Sequence, residues 1–272
     1  MDLPQLPDDA LSAANVKRDR AAWARAFRAA FGLLGLLWLI YGLERLLETK
    51  LRAFALFPGK LEGLIGILTA PLLHGDMAHL VANTPAVLIL MTLAFYTYPK
   101  ASFRAFPLIW IGAGIGVWLF ARPSFHLGAS GLTHGLMLFL FVLGILRRDR
   151  IAVAVALATF FLYGGMLLGV LPREAGISYE YHFFGALFGG IAAWRWWKLD
   201  PKPAKRVYSY ELEEELEDAD PDAELRLPPA DAIEAIWQGP QTRPEGRVLS
   251  FDPERRRRPL DAEPPGPDER LH

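Results

Sequence analysis

His126–Gly135 reads HLGASGLTHG and runs directly into Leu136–Leu146, LMLFLFVLGIL. A serine flanked by glycines, with a histidine four residues on, thus opens a long apolar run. Eleven consecutive apolar residues behind a polar, glycine-rich start read as a membrane-embedded helix, Ser130–Leu146, entered from the loop Pro123–Ala129. Polar and ionisable groups are costly in hydrocarbon, so those placed there are candidates for function. Ser130 is the first such candidate.

Working outward, further apolar runs of near-spanning length appear on both sides. We expect spans at about Trp23–Leu47, Met77–Tyr96, Phe106–Phe120, Ser130–Leu146, Ile151–Leu171 and Tyr181–Trp197. Thr49–Leu73 is half apolar and broken by Pro58-Gly59, so it reads as an interfacial or re-entrant connector. The expected fold is an all-α membrane protein, a six-transmembrane-helix bundle with a disordered cytoplasmic tail. Residues 1–21 form a leader, 22–198 the six-span domain, and 199–272 a charged, proline-rich tail with the acidic run ELEEELEDADPD at Glu211–Asp222. What the tail binds is unknown.

Composition narrows the function classes. The 272 residues carry a net charge of −1, which gives no electrostatic case for a nucleic-acid partner. There is no cysteine, so disulfides, thiolate metal sites and a cysteine nucleophile are excluded. The basic N-terminal stretch is not followed by a small-residue cleavage site, so the first apolar run reads as a retained anchor. Lys17, Arg18, Arg20, Lys100, Arg104, Arg147, Arg148, Arg150, Arg195 and Lys198 fall on one side of these spans. The positive-inside rule then places both termini in the cytoplasm. Six spans and no targeting peptide favour a bacterial inner membrane.

Five of the six histidines lie between His74 and His182. A serine nucleophile needs an adjacent base. His182 is the best candidate, because Gly185 and Gly189 follow it at i+3 and i+7 and let another helix approach closely. Gly128, Gly131 and Gly135 offer the same on the serine's helix. Packing alone would also explain these glycines and the serine. His79 and Asn83 share one helix face at i, i+4 and could supply donors to a developing oxyanion, together with the Ser130 backbone N–H. Interhelical hydrogen bonding is the competing reading for that pair. His74 and His79 are five apart, a poor spacing for a metal, and neither a metal nor another cofactor is expected.

Taken together, His74, His79 and Asn83 in the second span, Gly128-Ala129-Ser130-Gly131 opening the fourth, and His182 with Gly185 and Gly189 in the sixth resemble the rhomboid family of intramembrane serine proteases. The resemblance covers roughly Phe31–Trp197. It implies a Ser130–His182 dyad without a third acid, with His79, Asn83 and the Ser130 N–H as oxyanion donors and His74 in support. It implies transmembrane protein substrates cut in or near the lipid bilayer, with the fifth span and the loop Pro172–Glu180 as gate and cap. Two features depart from the family pattern. His134 stands where a large aromatic ring is usual, and it could stack on His182 or hydrogen-bond nearby. Tyr181 replaces a small residue, on a helix made bulky by Phe183, Phe184 and Phe188. His126 reads as structural. The functional expectation is an intramembrane serine endopeptidase. A non-catalytic module that binds client transmembrane helices is the alternative, and a histidine-lined metal or proton pathway is a weaker third.

Overall fold

Long apolar runs separated by charged, proline- or glycine-bearing junctions set the order of helices. In the computed structural model, residues 13–49, 51–172 and 176–202 are described. Helix α1 (Ala13–Leu46) is followed by a connector of short 3-10 turns around the single-turn α2 (Gly66–Thr69). Then come α3 (Met77–Thr97), α4 (Pro99–Phe120), α5 (Ser130–Arg147), α6 (Arg150–Tyr163), a 3-10 helix at Gly164–Val170, and α7 (Tyr179–Trp196). Among the described residues there is no β-strand, only an isolated bridge between Leu56 and His126.

Among the described residues, five segments are long and apolar enough to cross a membrane: α1, α3, α4, α5 and Arg150–Val170. The chain is an integral, multi-pass membrane protein. α7 has the length of a span, 18 residues, but carries Glu180, His182 and Arg195. Protein surrounds the first two, since Glu180 and His182 are buried along with Tyr181, Gly185, Gly189 and Ala193, while Arg195 is exposed in the last turn. The expected fifth span is α-helical only as far as Tyr163 and continues as the 3-10 helix.

Helices α5 and α7 meet backbone to backbone along a glycine seam. A methyl group at Gly185 would overlap the carbonyl oxygen of Gly131, and one at Gly189 that of Gly135. Absent side chains let the two backbones touch, the means by which helices associate where hydrophobic burial gives no drive. The aromatic bulk of α7 is met by other glycines. Phe184 and Phe188 press on Gly116 and Gly112 of α4, and the Tyr181 ring lies on Gly131. Tyr181, which departs from the family pattern, is thereby fully enclosed.

The connector is folded onto α4 rather than loose. Ile67 sits on Gly114, and the indole N–H groups of Trp110 and Trp118 donate to the carbonyls of Leu68 (3.1 Å) and Lys60 (2.9 Å). Leu56 and His126 exchange two backbone hydrogen bonds, and the Gly128 N–H donates to Ala70 O at 2.9 Å. The loop leading into Ser130 is therefore held by the connector.

At the opposite end of the bundle, Arg147 is buried at the end of α5. It donates to Asp149 and to the carbonyls of Trp197, Asp200 and Pro201. The Asp200 carboxylate accepts from the N–H groups of Lys100 (3.0 Å) and Ala101 (2.9 Å), satisfying orphan donors at the start of α4. Packing thus continues through Leu199 and Asp200, past the boundary expected at 198, and α4 begins at Pro99 rather than near Phe106. Helix α1 starts at Ala13, inside the stretch expected as a leader. The tail beyond residue 202 and the leader's first twelve residues lie outside the described residues.

Candidate active site

Ser130 is the first residue of α5. Its loop can reach this position because Gly128 adopts φ +113°, a left-handed conformation that favours glycine. A side chain at 128 would also run into the ring of His79. Ala129, at the N-cap, has no side chain able to cap the helix, so no capping group competes for the N–H groups of the first turn.

The glycine seam sets the distance to His182. Ser130 Oγ lies 2.9 Å from His182 Nε2. The other ring nitrogen, Nδ1, is 2.9 Å from the carbonyl oxygen of Gly169. A carbonyl only accepts, so Nδ1 carries the proton and Nε2 presents a lone pair to the serine hydroxyl. This is the tautomer a general base requires.

His134 does both things that were open for it. Its ring stacks on His182, centroids 3.9 Å apart and planes within 8°. Its Nδ1 is 2.7 Å from Ser130 O and its Nε2 is 3.0 Å from Met166 O. Both partners are carbonyls, so a neutral ring donates to one of them at a time and only the imidazolium donates to both.

His79 and Asn83 face the same space from α3. Asp76 caps that helix by accepting the His79 N–H at 2.8 Å. The Asn83 amide donates one hydrogen to His79 O at 2.9 Å, which leaves its second hydrogen available. His74 packs edge-on against His79, with centroids 5.1 Å apart, and its Nε2 accepts from the Ala129 N–H at 3.5 Å. Burial, and then the neighbouring His79, push the His74 pKa down to about 4. It is neutral near pH 7, as an acceptor at Nε2 must be.

Ser130, His182, His134, His79, Asn83 and His74 all line one cavity of about 900 Å³. Tyr163 of α6 and Met166 of the following 3-10 helix also line it, and Glu44, Arg45, Arg52 and Asp76 add charge. Gly128, Gly131, Gly185 and Gly189 act through close approach. The expected cap loop is described only in part, because residues 173–175 lie outside the described residues.

Sequence reasoning did not identify two supports. One is the pair of carbonyls at Met166 and Gly169. The only trace in the sequence is the glycine cluster Gly164, Gly165 and Gly169. The other is the network around His126, which is fully buried. Its Nε2 lies 3.1 Å from Arg122 O and must donate there, so Nδ1 accepts the Ser178 hydroxyl at 2.6 Å. Ser178 in turn accepts the Tyr181 N–H and so caps α7, the helix that carries His182. Burial lowers the His126 pKa, in keeping with a neutral ring.

A helical membrane protein with a serine and a histidine in hydrogen-bond contact at a shared cavity is the class these features define. A rhomboid domain model matches residues 61–199. The chain belongs to the rhomboid family. It is 34% identical over 184 residues to an uncharacterized protein of Mycobacterium tuberculosis, covering 64% of this chain and 77% of that relative. An uncharacterized protein of Mycobacterium leprae is 32% identical over 184 residues, covering 64% of this chain and 73% of the relative. No solved structure gives a significant match.

Proposed function

We propose that this protein is an intramembrane serine endopeptidase that cuts transmembrane protein substrates through a Ser130–His182 dyad. The observation that carries the reading is the 2.9 Å contact between Ser130 Oγ and His182 Nε2, with Nδ1 already committed as a donor. As Ser130 Oγ attacks the scissile carbonyl carbon, its proton passes to Nε2. The carbonyl oxygen becomes an oxyanion, stabilised by the Ser130 N–H, the Asn83 amide and the His79 ring. Collapse of the tetrahedral intermediate breaks the C–N bond, and the Nε2 proton goes to the leaving amine. Water in the cavity then hydrolyses the acyl-enzyme by the same proton transfers in reverse. The basic ends of α4, α5 and α7 would face a bacterial cytoplasm together with both termini, which opens the cavity to the outer side.

Cleavage of a single-span substrate in proteoliposomes tests this. Ser130→Ala and His182→Ala should reduce turnover to background, and equal cutting by Ser130→Ala and wild type would end the proposal. Protonated Nε2 cannot accept the serine proton, so activity should fall as the medium is acidified. A non-catalytic helix-binding module would leave Ser130 unlabelled by a fluorophosphonate in the folded protein, whereas the endopeptidase is labelled.

A further inference from the structure

We propose that backbone carbonyls of the 3-10 helix Gly164–Val170 do the work a third side chain would do beside a Ser–His pair, and that His134 is a positioning residue holding them there. This rests on the dyad reading above. Gly169 O holds the proton on His182 Nδ1 and so aims the Nε2 lone pair at Ser130. Three residues earlier on the same segment, Met166 O meets His134 Nε2 at 3.0 Å, and the two rings are stacked. A 3-10 helix has three residues per turn, so groups at i and i+3 fall on one face. That geometry lets one short segment reach two stacked rings at once, whereas an α-helical turn would rotate the two carbonyls apart.

Gly169 is where this contact is closest. A methyl there would stand 3.0 Å from His134 Nε2 and 3.2 Å from His182 Nδ1. On the same segment, a methyl at Gly165 would meet nothing within 4 Å. The base is therefore ready only while Gly164–Val170 lies against it. Movement of the segment frees Nδ1 and removes the reason for the active tautomer.

The two glycines supply a matched test in the full-length protein. Gly169→Ala should lower kcat for a single-span substrate by at least about tenfold with KM little changed, since a wrong histidine tautomer disables the base rather than substrate binding. Gly165→Ala should behave as wild type. His134→Phe keeps a ring but loses the polar contacts to Ser130 O and Met166 O, and should lower kcat by less than Gly169→Ala. Nitrogen-15 NMR of His182 gives a readout that packing damage alone would not produce. Wild type should carry its proton on Nδ1 at neutral pH, and Gly169→Ala should show mixed tautomers. Equal kcat for the two glycine variants, or a wild-type His182 protonated on Nε2, overturns the proposal. Failure of the dyad itself would appear separately, as Ser130→Ala cutting like wild type.

Discussion

Helices α5 and α6 are neighbours in sequence, and both belong to segments apolar enough to span a bilayer, yet they are built for different surroundings. α5 buries twelve of its eighteen residues, including Thr133, His134 and Arg147. α6 buries only Ala152, Ala156 and Thr159 of fourteen, and its Phe160, Phe161 and Leu162 are exposed. Apolar composition is thus a poor guide to position in a membrane protein, since lipid accepts what a core accepts. Glycines and polar groups mark the interior instead. α5 has glycines at 131, 135 and 144, each against another helix, while a methyl on Gly165, just past α6, would meet nothing.

The largest break in this contrast should come at the seam. Gly185→Val puts a side chain into the Gly131 carbonyl, which backbone cannot yield cheaply. We expect loss of all cleavage and a lowered thermal midpoint in detergent, whereas an isosteric change on the exposed face of α6 should leave both unchanged.

A second effect concerns the loop that enters α5. His74 stays neutral when folded down to about pH 4, against an ordinary value of 6.5. Between those values the unfolded chain binds the proton and the folded chain does not. Stability should therefore be full above pH 6.5, fall progressively toward pH 4, and lose no more from this group below that. The loss is at most about 3 kcal/mol. Thermal midpoints of wild type and His74→Gln measured at pH 7.5 and pH 5 should converge at the lower pH.

Phenylalanine truncation compares the helices directly. Phe139 of α5 is fully buried and Phe161 of α6 is 79% exposed. Phe139→Ala opens a cavity and should cost about 3 kcal/mol or more. Phe161→Ala exchanges one lipid contact for another and should stay within about 0.5 kcal/mol. Equal costs in a detergent unfolding titration would mean α6 is covered in the membrane.

The smallest effect is expected where α6 touches α3. The Tyr163 hydroxyl donates to Pro85 O at 3.1 Å. Tyr163→Phe removes about 1 kcal/mol of restraint. If this side of the bundle opens to admit substrate, the variant should cleave several-fold faster at low substrate concentration, and an unchanged kcat/KM would place the entry elsewhere.

Much of this was legible in the chain itself. Apolar runs locate the long helices because a bilayer demands a minimum length of apolar residues. Ser130, His182, His79 and Asn83 stand out because such groups are costly in a membrane. The Gly185 and Gly189 spacing signals close helix approach without any structure. Helix ends were less legible. Pro99 starts α4 because Asp200, a hundred residues away in sequence, caps it. The change from α-helix to 3-10 helix after Tyr163 was not legible, because the apolar run continues unbroken through it.

Sequence alone determined that this chain is a helical membrane protein of the rhomboid pattern, because length, apolarity and a few improbable polar residues are local properties. Tertiary structure decided the rest. It set the 2.9 Å from Ser130 to His182, placed a backbone carbonyl on the far side of that ring, and gave His134 both a stacked partner and two carbonyl partners. A backbone carbonyl exists at every residue and leaves no mark in the sequence, so only the fold can reveal which one faces His182.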